Sequence, residues 1–543
     1  MDAALVLLTR TTSLTRAHIC RILKALGAPS ALPTELRRLY VAVDGDAAET
    51  LSGESAFNFA AHLYTEAQRH CRHLDVRLLL DTIKSLAAAD RPPFARYFID
   101  CPTELVGRAV VTGHLRRRDG APLCSLAASV NGVVHTEGES STPLNSPSLN
   151  GSWHCLRSTI GLKPHPGAYS GVVLGGTFDR LHNGHKVLIT CAALLARTRF
   201  TCGVTDAAML DKKLLKHLIE PVDQRIDRVA AFVADIDPTL SCKIVPIVDP
   251  FGPSIVDSDL GAIVASEETV RGAESVNRRR VDKGLEELDV YTISMIDDPA
   301  RGSTFDSEAK ISSSDVRRCL LGTMLRPPRE PASRRQPYVI GLTGGIASGK
   351  TKIASYLAAW GAEVVDCDQL GHEAYLPHTA AYNRIVETFG LSVVDGVRGN
   401  NINRKVLSTL VFGEEGRRCE LEAIVWPEIA RMARERLQLT EKKVAVLDAA
   451  VLLEAGWDAH VAEVWLCLTP DRDEVVRRVT ARSQLSADQV KRRLAAQMSD
   501  AEKLSHANVL FYSLWEYETT EAQVRTAWER LSAAIASAQT GPH

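Results

Sequence analysis

Residues 341–351 read GLTGGIASGKT. Before them stands Tyr338-Val339-Ile340, a short β-rich run, and after them Lys352-Ile353-Ala354-Ser355-Tyr356-Leu357, whose apolar residues recur at helical spacing. Strand, glycine-rich turn and helix in that order make a phosphate-binding loop. Gly344 and Gly349 let the backbone wrap inward, so that the N–H groups of Gly345, Ile346, Ala347 and Ser348 point at phosphate oxygens, and the following helix adds its positive end. Lys350 reaches the β- and γ-phosphates, and the hydroxyl of Thr351 is the expected Mg²⁺ ligand. The loop predicts a nucleoside triphosphate held with its γ-phosphate exposed, and it leaves the acceptor open.

Downstream, Gly361-Ala362-Glu363-Val364-Val365-Asp366-Cys367-Asp368 reads as a second strand with two acids on one side of its tip, because alternate residues share a face. Carboxylates at the carboxyl ends of such strands face the nucleotide crevice. Asp368 is placed to take a proton from an attacking hydroxyl, while Asp366 either binds metal-linked water or orients the loop. Val444 to Asp448 is another strand ending in an acid, followed by Ala449 to Glu454, and Val464 to Leu468 is a further buried strand. The charged helical stretch carrying Arg477, Arg478, Arg482, Lys491, Arg492, Arg493 and Gln497 reads as a lid that brings guanidinium charge to the γ-phosphoryl group and excludes water; a solvated face is the plainer alternative.

Upstream, RPPREPASRRQP from Arg326 to Pro337 opposes helix and sheet alike and marks a linker. Above it, the buried-strand pattern of Tyr169 to Leu174 runs into GGTFDRLHNGH, Gly175 to His185, and then into a helical pattern continuing to Ala196. A strand feeding a glycine pair, with His182 and His185 three residues apart at a helix start, builds a pocket of backbone N–H groups with imidazoles beside it. That is an anion site with titratable donors.

These residues carry a resemblance. GGTFDRLHNGH resembles the T/HxGH signature of the nucleotidyltransferase superfamily, whose fold is Rossmann-like. Gly203 to Asp206, Lys212-Lys213, Arg225, Asp249 to Pro253, Ser266 to Thr269, Asn277 to Arg280 and Lys310 to Arg317 are similar, in order, to the phosphopantetheine adenylyltransferases of the animal type, over about residues 168–325. The resemblance implies that Gly175 and His185 contact ATP together with His182, that Thr177 orients the attacking phosphate beside Phe178, and that Lys213 (or Lys212) and Arg225 bring positive charge. Ser312, Ser313 and Ser314 would hold the triphosphate, or serve as an ordinary helix cap, or both.

GLTGGIASGKT, VVDCDQLGH, NRKVLSTLVF, VWPEIA, VLDAAVLLEAGWD and ARSQLSADQVKRRLAAQMS are similar to dephospho-CoA kinases over nearly all of residues 337–520. This implies Asp368 as the base for the ribose 3′-hydroxyl, Arg482 as part of the lid, and Trp426 and Glu454 among the acceptor contacts. Trp426 stands where bacterial relatives have His, and Asn508 where many have an acid. The expected architecture is therefore α/β throughout: an accessory α/β region at 1–165, a Rossmann-like nucleotidyltransferase domain at 166–325 and a P-loop kinase domain at 337–543. The implied substrates are ATP, 4′-phosphopantetheine and dephospho-CoA, with Mg²⁺ at both sites.

The rest of the chain sets bounds. At 543 residues about three domains are expected. A formal net charge of −2 offers no general reason to propose nucleic acid as a partner. Twelve scattered cysteines without a CxxC pair point to a reducing compartment. No stretch is apolar for long enough to span a membrane, so association with one would be peripheral. Arg10, Arg16, Arg21 and Lys24 against Asp2 alone weakly resemble a mitochondrial presequence; the preferred reading is a first strand and an amphipathic helix, with a cytoplasmic location. In the accessory region His70, Cys71 and His73 lack a convincing set of further metal ligands, so packing or surface roles are expected, and residues 138–151 read as a linker.

Overall fold

Runs such as Val172-Val173-Leu174 and Val444-Ala445-Val446-Leu447 are apolar on both faces of a strand, the pattern of parallel sheets covered by helices on both sides. Three such sheets form. The computed structural model describes residues 3–8, 16–26, 37–43, 51, 54–80, 96–99, 123–125, 156–158, 163–294, 311–329, 337–395, 400–413, 415–469, 472–482, 486–495 and 497–540. The linker expected at 138–151 lies outside these residues. The chain divides into two compact units, 1–316 and 317–543.

The first unit opens with β1 (Ala3–Leu8), α1 (Arg16–Leu26), β2 (Arg38–Val43), α2 (Glu54–His70), β3 (Asp75–Leu78), β4 (Arg96–Ile99) and β5 (Leu123–Ser125), in a parallel sheet ordered β3-β2-β1-β4-β5. Then come β6 (Leu156–Ser158), β7 (Tyr169–Gly176), α3 (Asn183–Leu195), β8 (Ala196–Thr205), α4 (Val222–Ile236), β9 (Ser241–Ile247), β10 (Leu260–Ser266), α5 (Val270–Asp282), β11 (Asp289–Ile293) and α6 (Ser313–Arg318). Their sheet runs β6-β11-β10-β7-β8-β9, parallel except at β6. The two sheets are not independent. One core runs from Leu39, Val41, Phe57 and Leu63 to Val172, Ile189, Leu194 and Phe232, so the accessory region and the nucleotidyltransferase-like fold share an interior. Polar contacts reinforce it: Tyr40 donates to Asp235 at 2.7 Å, and Arg77 bridges Asp75 and Asp235.

The second unit contains β12 (Tyr338–Gly344), α7 (Lys350–Ala359), β13 (Glu363–Asp366), α8 (Cys367–Glu373), α9 (Ala380–Phe389), the short pair β14 (Val394–Asp395) and β15 (Asn401–Ile402), α10 (Arg404–Gly413), α11 (Glu415–Leu439), β16 (Val444–Asp448), β17 (Glu463–Leu468), α12 (Arg472–Arg482), α13 (Ala487–Ala495), α14 (Asp500–His506), β18 (Val509–Tyr512) and α15 (Tyr517–Thr540). Its sheet is wholly parallel, ordered β13-β16-β12-β17-β18. Ile353 and Leu357 of α7 and Val524, Ala527 and Leu531 of α15 pack with Ile340 and Leu342. A second apolar cluster gathers α8 to α11 with Val365, Leu447 and Leu452.

Residues 322–329 do not behave as a plain tether. The Gly322 N–H donates to the Leu510 carbonyl at 2.9 Å, the Leu325 N–H to Asn508 at 2.7 Å, Met324 bridges antiparallel to Val509, and Arg329 reaches Asp458 at 2.8 Å. The proline-rich segment thus begins as a strap on the β18 edge, with unpaired edge groups supplying its partners.

Candidate active sites

The strand-loop-helix reading of Gly341–Thr351 is what the structure contains. Gly349, at φ 91°, caps α7 in the left-handed region, and Ala347 takes φ 58°. A Cβ on Gly344 would lie 2.4 Å from the Cys467 carbonyl and 2.5 Å from Ser348 Oγ, so only glycine lets the loop pass β17 here. The Ser348 hydroxyl is buried without a hydrogen-bond partner, as expected of a cradle whose ligand supplies acceptors.

Register brings the acids together. Asp366 pairs with Asp448 across β13 and β16, and Leu342 of β12 pairs with Asp448 on the other side, so both carboxylates stand at the carboxyl end of the sheet beside the loop. Lys350 Nζ contacts Asp448 and lies 3.8 Å from Asp368 Oδ2. The strand expected to carry both acids stops short of the second: β13 ends at Asp366, and Asp368 stands in the first turn of α8, largely exposed, while Asp448 is buried. Burial pushes the Asp448 carboxyl above its ordinary range against the opposing pull of Lys350. Asp366 accepts the Gln369 N–H at 3.0 Å and caps α8, which supports the orienting reading for it.

The expected lid residues divide. Arg482 is exposed at the end of α12. Arg478, one turn earlier, donates to the Ala347 carbonyl at 3.3 Å, to Ser513 Oγ at 3.0 Å and to the Ser513 carbonyl at 2.6 Å, with Glu474 holding its Nε at 2.7 Å. Gln497 accepts the Ile346 N–H at 3.4 Å. The sequence places Arg478 in the lid stretch and Asp448 at a strand end, but only register and helix phase single them out from their charged neighbours. Glu454 lies 3.7 Å from Lys503 Nζ and accepts the Met498 N–H at 3.4 Å, leaving Oε2 buried without a partner. Trp426 departs from expectation: mid-helix in α11, it is half-buried against the apolar cluster, and no described contact joins it to Lys350, Asp368 or Glu454.

In the first unit, β7 ends at the glycine pair and α3 begins at Asn183, so the loop between them bears the expected site. The His182 and His185 rings stack at 3.8 Å, and the Ser313 hydroxyl lies 3.4 Å from His182 Nε2 and from the Asp179 carbonyl. The serine segment therefore meets the histidine segment. Ser312 also caps α6 in an exchange with Asp315, its Oγ donating at 2.7 Å and receiving the Asp315 N–H at 3.2 Å, while Ser314, two residues on, is half-buried. His185 Nδ1 is buried without a partner, and burial lowers the imidazole to about 4, so the ring is neutral at pH 7. Thr177 Oγ1 accepts from Thr205 at 3.1 Å, and Gly175 is exposed at the strand tip.

Two expected substrate contacts prove to be supports. Arg225 is fully buried and donates to the Glu220, Thr177 and Thr205 carbonyls, each at 2.8 Å. Its guanidinium, bonded to main chain through Nε and Nη1 and with Nη2 3.8 Å from Asp206 Oδ1, clamps the ends of β7 and β8. Phe178 is also fully buried, at φ 50°, with its ring 5.3 Å from that of His185. Lys212 and Lys213 are exposed in the loop after β8.

Comparison with known proteins follows the same division. A family model described as dephospho-CoA kinase matches residues 338–513. The dephospho-CoA kinase of Geobacter sulfurreducens is 41% identical over 197 residues, 35% of this chain and 98% of that protein. The chain belongs to the dephospho-CoA kinase family. A second relative in that family, from Symbiobacterium thermophilum, is 40% identical across 35% of the chain and 80% of its own length. A model described as cytidylyltransferase-like matches residues 173–319. The phosphopantetheine adenylyltransferase of Saccharomyces cerevisiae is 40% identical over 147 residues, 27% of this chain and 47% of the yeast protein. This dephospho-CoA kinase family member thus carries a phosphopantetheine adenylyltransferase-like domain ahead of its kinase domain.

Proposed function

We propose that the chain performs the last two steps of coenzyme A synthesis in order. The observation that carries this reading is the presence, on one chain, of two separate phosphate sites of different design: a loop with a lysine between carboxylates, and a histidine-serine pocket with a neutral imidazole.

In the first unit the phosphate of 4′-phosphopantetheine attacks the α-phosphorus of ATP; the new P–O bond forms as the bond to pyrophosphate breaks. Little covalent machinery is needed beyond positioning and charge stabilisation. Thr177, its hydroxyl held by Thr205 and its carbonyl by Arg225, orients the attacking phosphate. Neutral His185 donates a hydrogen bond at the crowded phosphorus with no proton lost to solvent, His182 and the Ser312–Ser314 segment hold the triphosphate, and Lys213 brings charge from its loop.

In the second unit the ribose 3′-oxygen of dephospho-CoA attacks the γ-phosphorus of ATP and ADP leaves. Asp368, exposed beside Lys350, takes the hydroxyl proton. Lys350 exchanges its contact with Asp448 for phosphate oxygens. Arg478 anchors α12 to the loop, and Arg482 supplies charge from the same helix as it closes. The oxygen donors of Thr351 and Asp448 beside the loop fit a hard divalent cation, and Mg²⁺ there would neutralise charge on the β- and γ-phosphates. Among the described residues no helix is long and apolar enough to cross a membrane.

The test is product identification from purified protein with ATP, Mg²⁺ and 4′-phosphopantetheine. Dephospho-CoA followed by CoA is expected; consumption of neither substrate overturns the reading.

A further inference from the structure

Neither reaction uses one group of metal-type donors. α1 and α2 pack side by side, and Cys71 Sγ donates to the Leu23 carbonyl at 3.1 Å, fixing their relative register. On α2, Glu66 and His70 are four residues apart and share a face. Cys20 of α1 meets that face: its Sγ lies 3.4 Å from His70 Nε2, which in turn lies 3.5 Å from Glu66 Oε2, and all three ligand atoms fall within 4.8 Å of one another. The sequence alone offered His70, Cys71 and His73. The structure separates that set, burying Cys71 and exposing His73, and assembles another from two helices.

We propose that Cys20, Glu66 and His70 form a binding site for one zinc-type divalent ion, with water as the fourth ligand. Thiolate, imidazole and carboxylate together suit a borderline-soft ion rather than Mg²⁺ or Ca²⁺. The spacing agrees with the shape such an ion demands. Tetrahedral Zn–S and Zn–N bonds of ~2.3 and ~2.0 Å place sulfur and nitrogen roughly 3.5 Å apart, and nitrogen and oxygen roughly 3.4 Å apart. The sulfur–nitrogen and nitrogen–oxygen separations of 3.4 and 3.5 Å lie close to those edges. Glu66 is nearly fully buried, and Arg69 Nη1 holds its Oε1 at 2.9 Å, which leaves Oε2 directed at the imidazole. His70 and Cys20 are only partly buried, giving water and an ion a way in.

The site also has a place in the unit. The other face of α2 carries Gln68 and Tyr64, which accept hydrogen bonds from Asn183 at 2.9 Å and Thr190 at 3.3 Å on the helix that bears His185. An ion joining α1 to α2 stiffens the support behind that helix.

The probe is Co²⁺ added to chelator-stripped full-length protein. One equivalent is expected to give a thiolate-to-cobalt charge-transfer band that zinc displaces, that Cys20→Ala and His70→Ala abolish, and that Cys419→Ala, at an exposed cysteine, leaves unchanged. Absence of the band in the parent protein, or its survival in Cys20→Ala, overturns the proposal. Should either variant fail to fold, alkylation of the parent protein mapped by peptide decides: zinc is expected to slow modification of Cys20 about tenfold relative to Cys419. Equal rates with and without zinc would show a hydrogen-bonded triad only.

Discussion

Lys350 lies between a buried carboxylate and an exposed one, and the difference assigns them different work. Asp448 neutralises the lysine in the free protein, while Asp368 is open to an incoming hydroxyl. Lys350→Ala is expected to lower the kinase rate by about 10²-fold or more and to leave adenylyl transfer intact, so that dephospho-CoA accumulates; unchanged CoA output in the product assay would refute the assignment. Asp368→Asn should likewise slow only the second step, by about 10²–10⁴-fold. His185 gives a pH prediction. Its folded pKa, about 4, lies below the ordinary 6.5, so as pH falls from 6.5 towards 4 the unfolded chain takes a proton that the folded one refuses. Stability is therefore lost in that window, at up to about 1.4 kcal/mol per pH unit. Thermal midpoints measured across it should fall less steeply in His185→Asn than in the parent. Asn508 shows why an acid does not serve at its position. Its Oδ1 accepts the Val464 N–H at 2.7 Å while its Nδ2 donates to the Pro327 carbonyl at 2.8 Å, and only an amide can do both.

At the scale of elements, α3 and α12 are set by partners distant in sequence. Lys186, buried one residue after His185, pairs with Asp75 at 2.7 Å and donates to the Val76 carbonyl at 3.3 Å, so β3 of the accessory sheet holds the start of the histidine helix. Lys186→Met is expected to depress adenylyl transfer while the kinase rate, measured on the same preparation, stays put. Arg478 performs the matching task for α12. Replacing it with Ala frees the Ala347 and Ser513 carbonyls it serves and should raise the KM for ATP in the kinase step alone.

For the whole molecule, the strap at 322–329 has a thermodynamic consequence. A fragment beginning at Arg317 keeps the hydrogen bonds from Gly322, Leu325, Arg326 and Arg329 to the kinase unit, whereas one beginning at Pro337 loses them and uncovers the β18 edge. The shorter fragment is expected to unfold at lower temperature by calorimetry; equal midpoints would show the strap to be idle. Much of this architecture could be read in advance. Glycine spacing, Lys350, Thr351, the strand-end acids and the GGTFDRLHNGH run are local patterns, because phosphate cradles are built from consecutive backbone groups and strand tips. Local pattern was silent on what lies across the chain. Arg225 read as a substrate contact because charge in sequence carries no burial; the fold spends it on three carbonyls. Trp426 read as an acceptor contact, and it stands half-buried against the apolar cluster of the kinase unit. The accessory region read as separate because its motifs carry no chemistry, yet its core is continuous with that of its neighbour. The sequence by itself determined the two strand-loop-helix turns and their order, since short-range geometry decides those; only the tertiary structure decided which charges stand open beside those turns and which hold the frame, since that depends on partners dozens to hundreds of residues away.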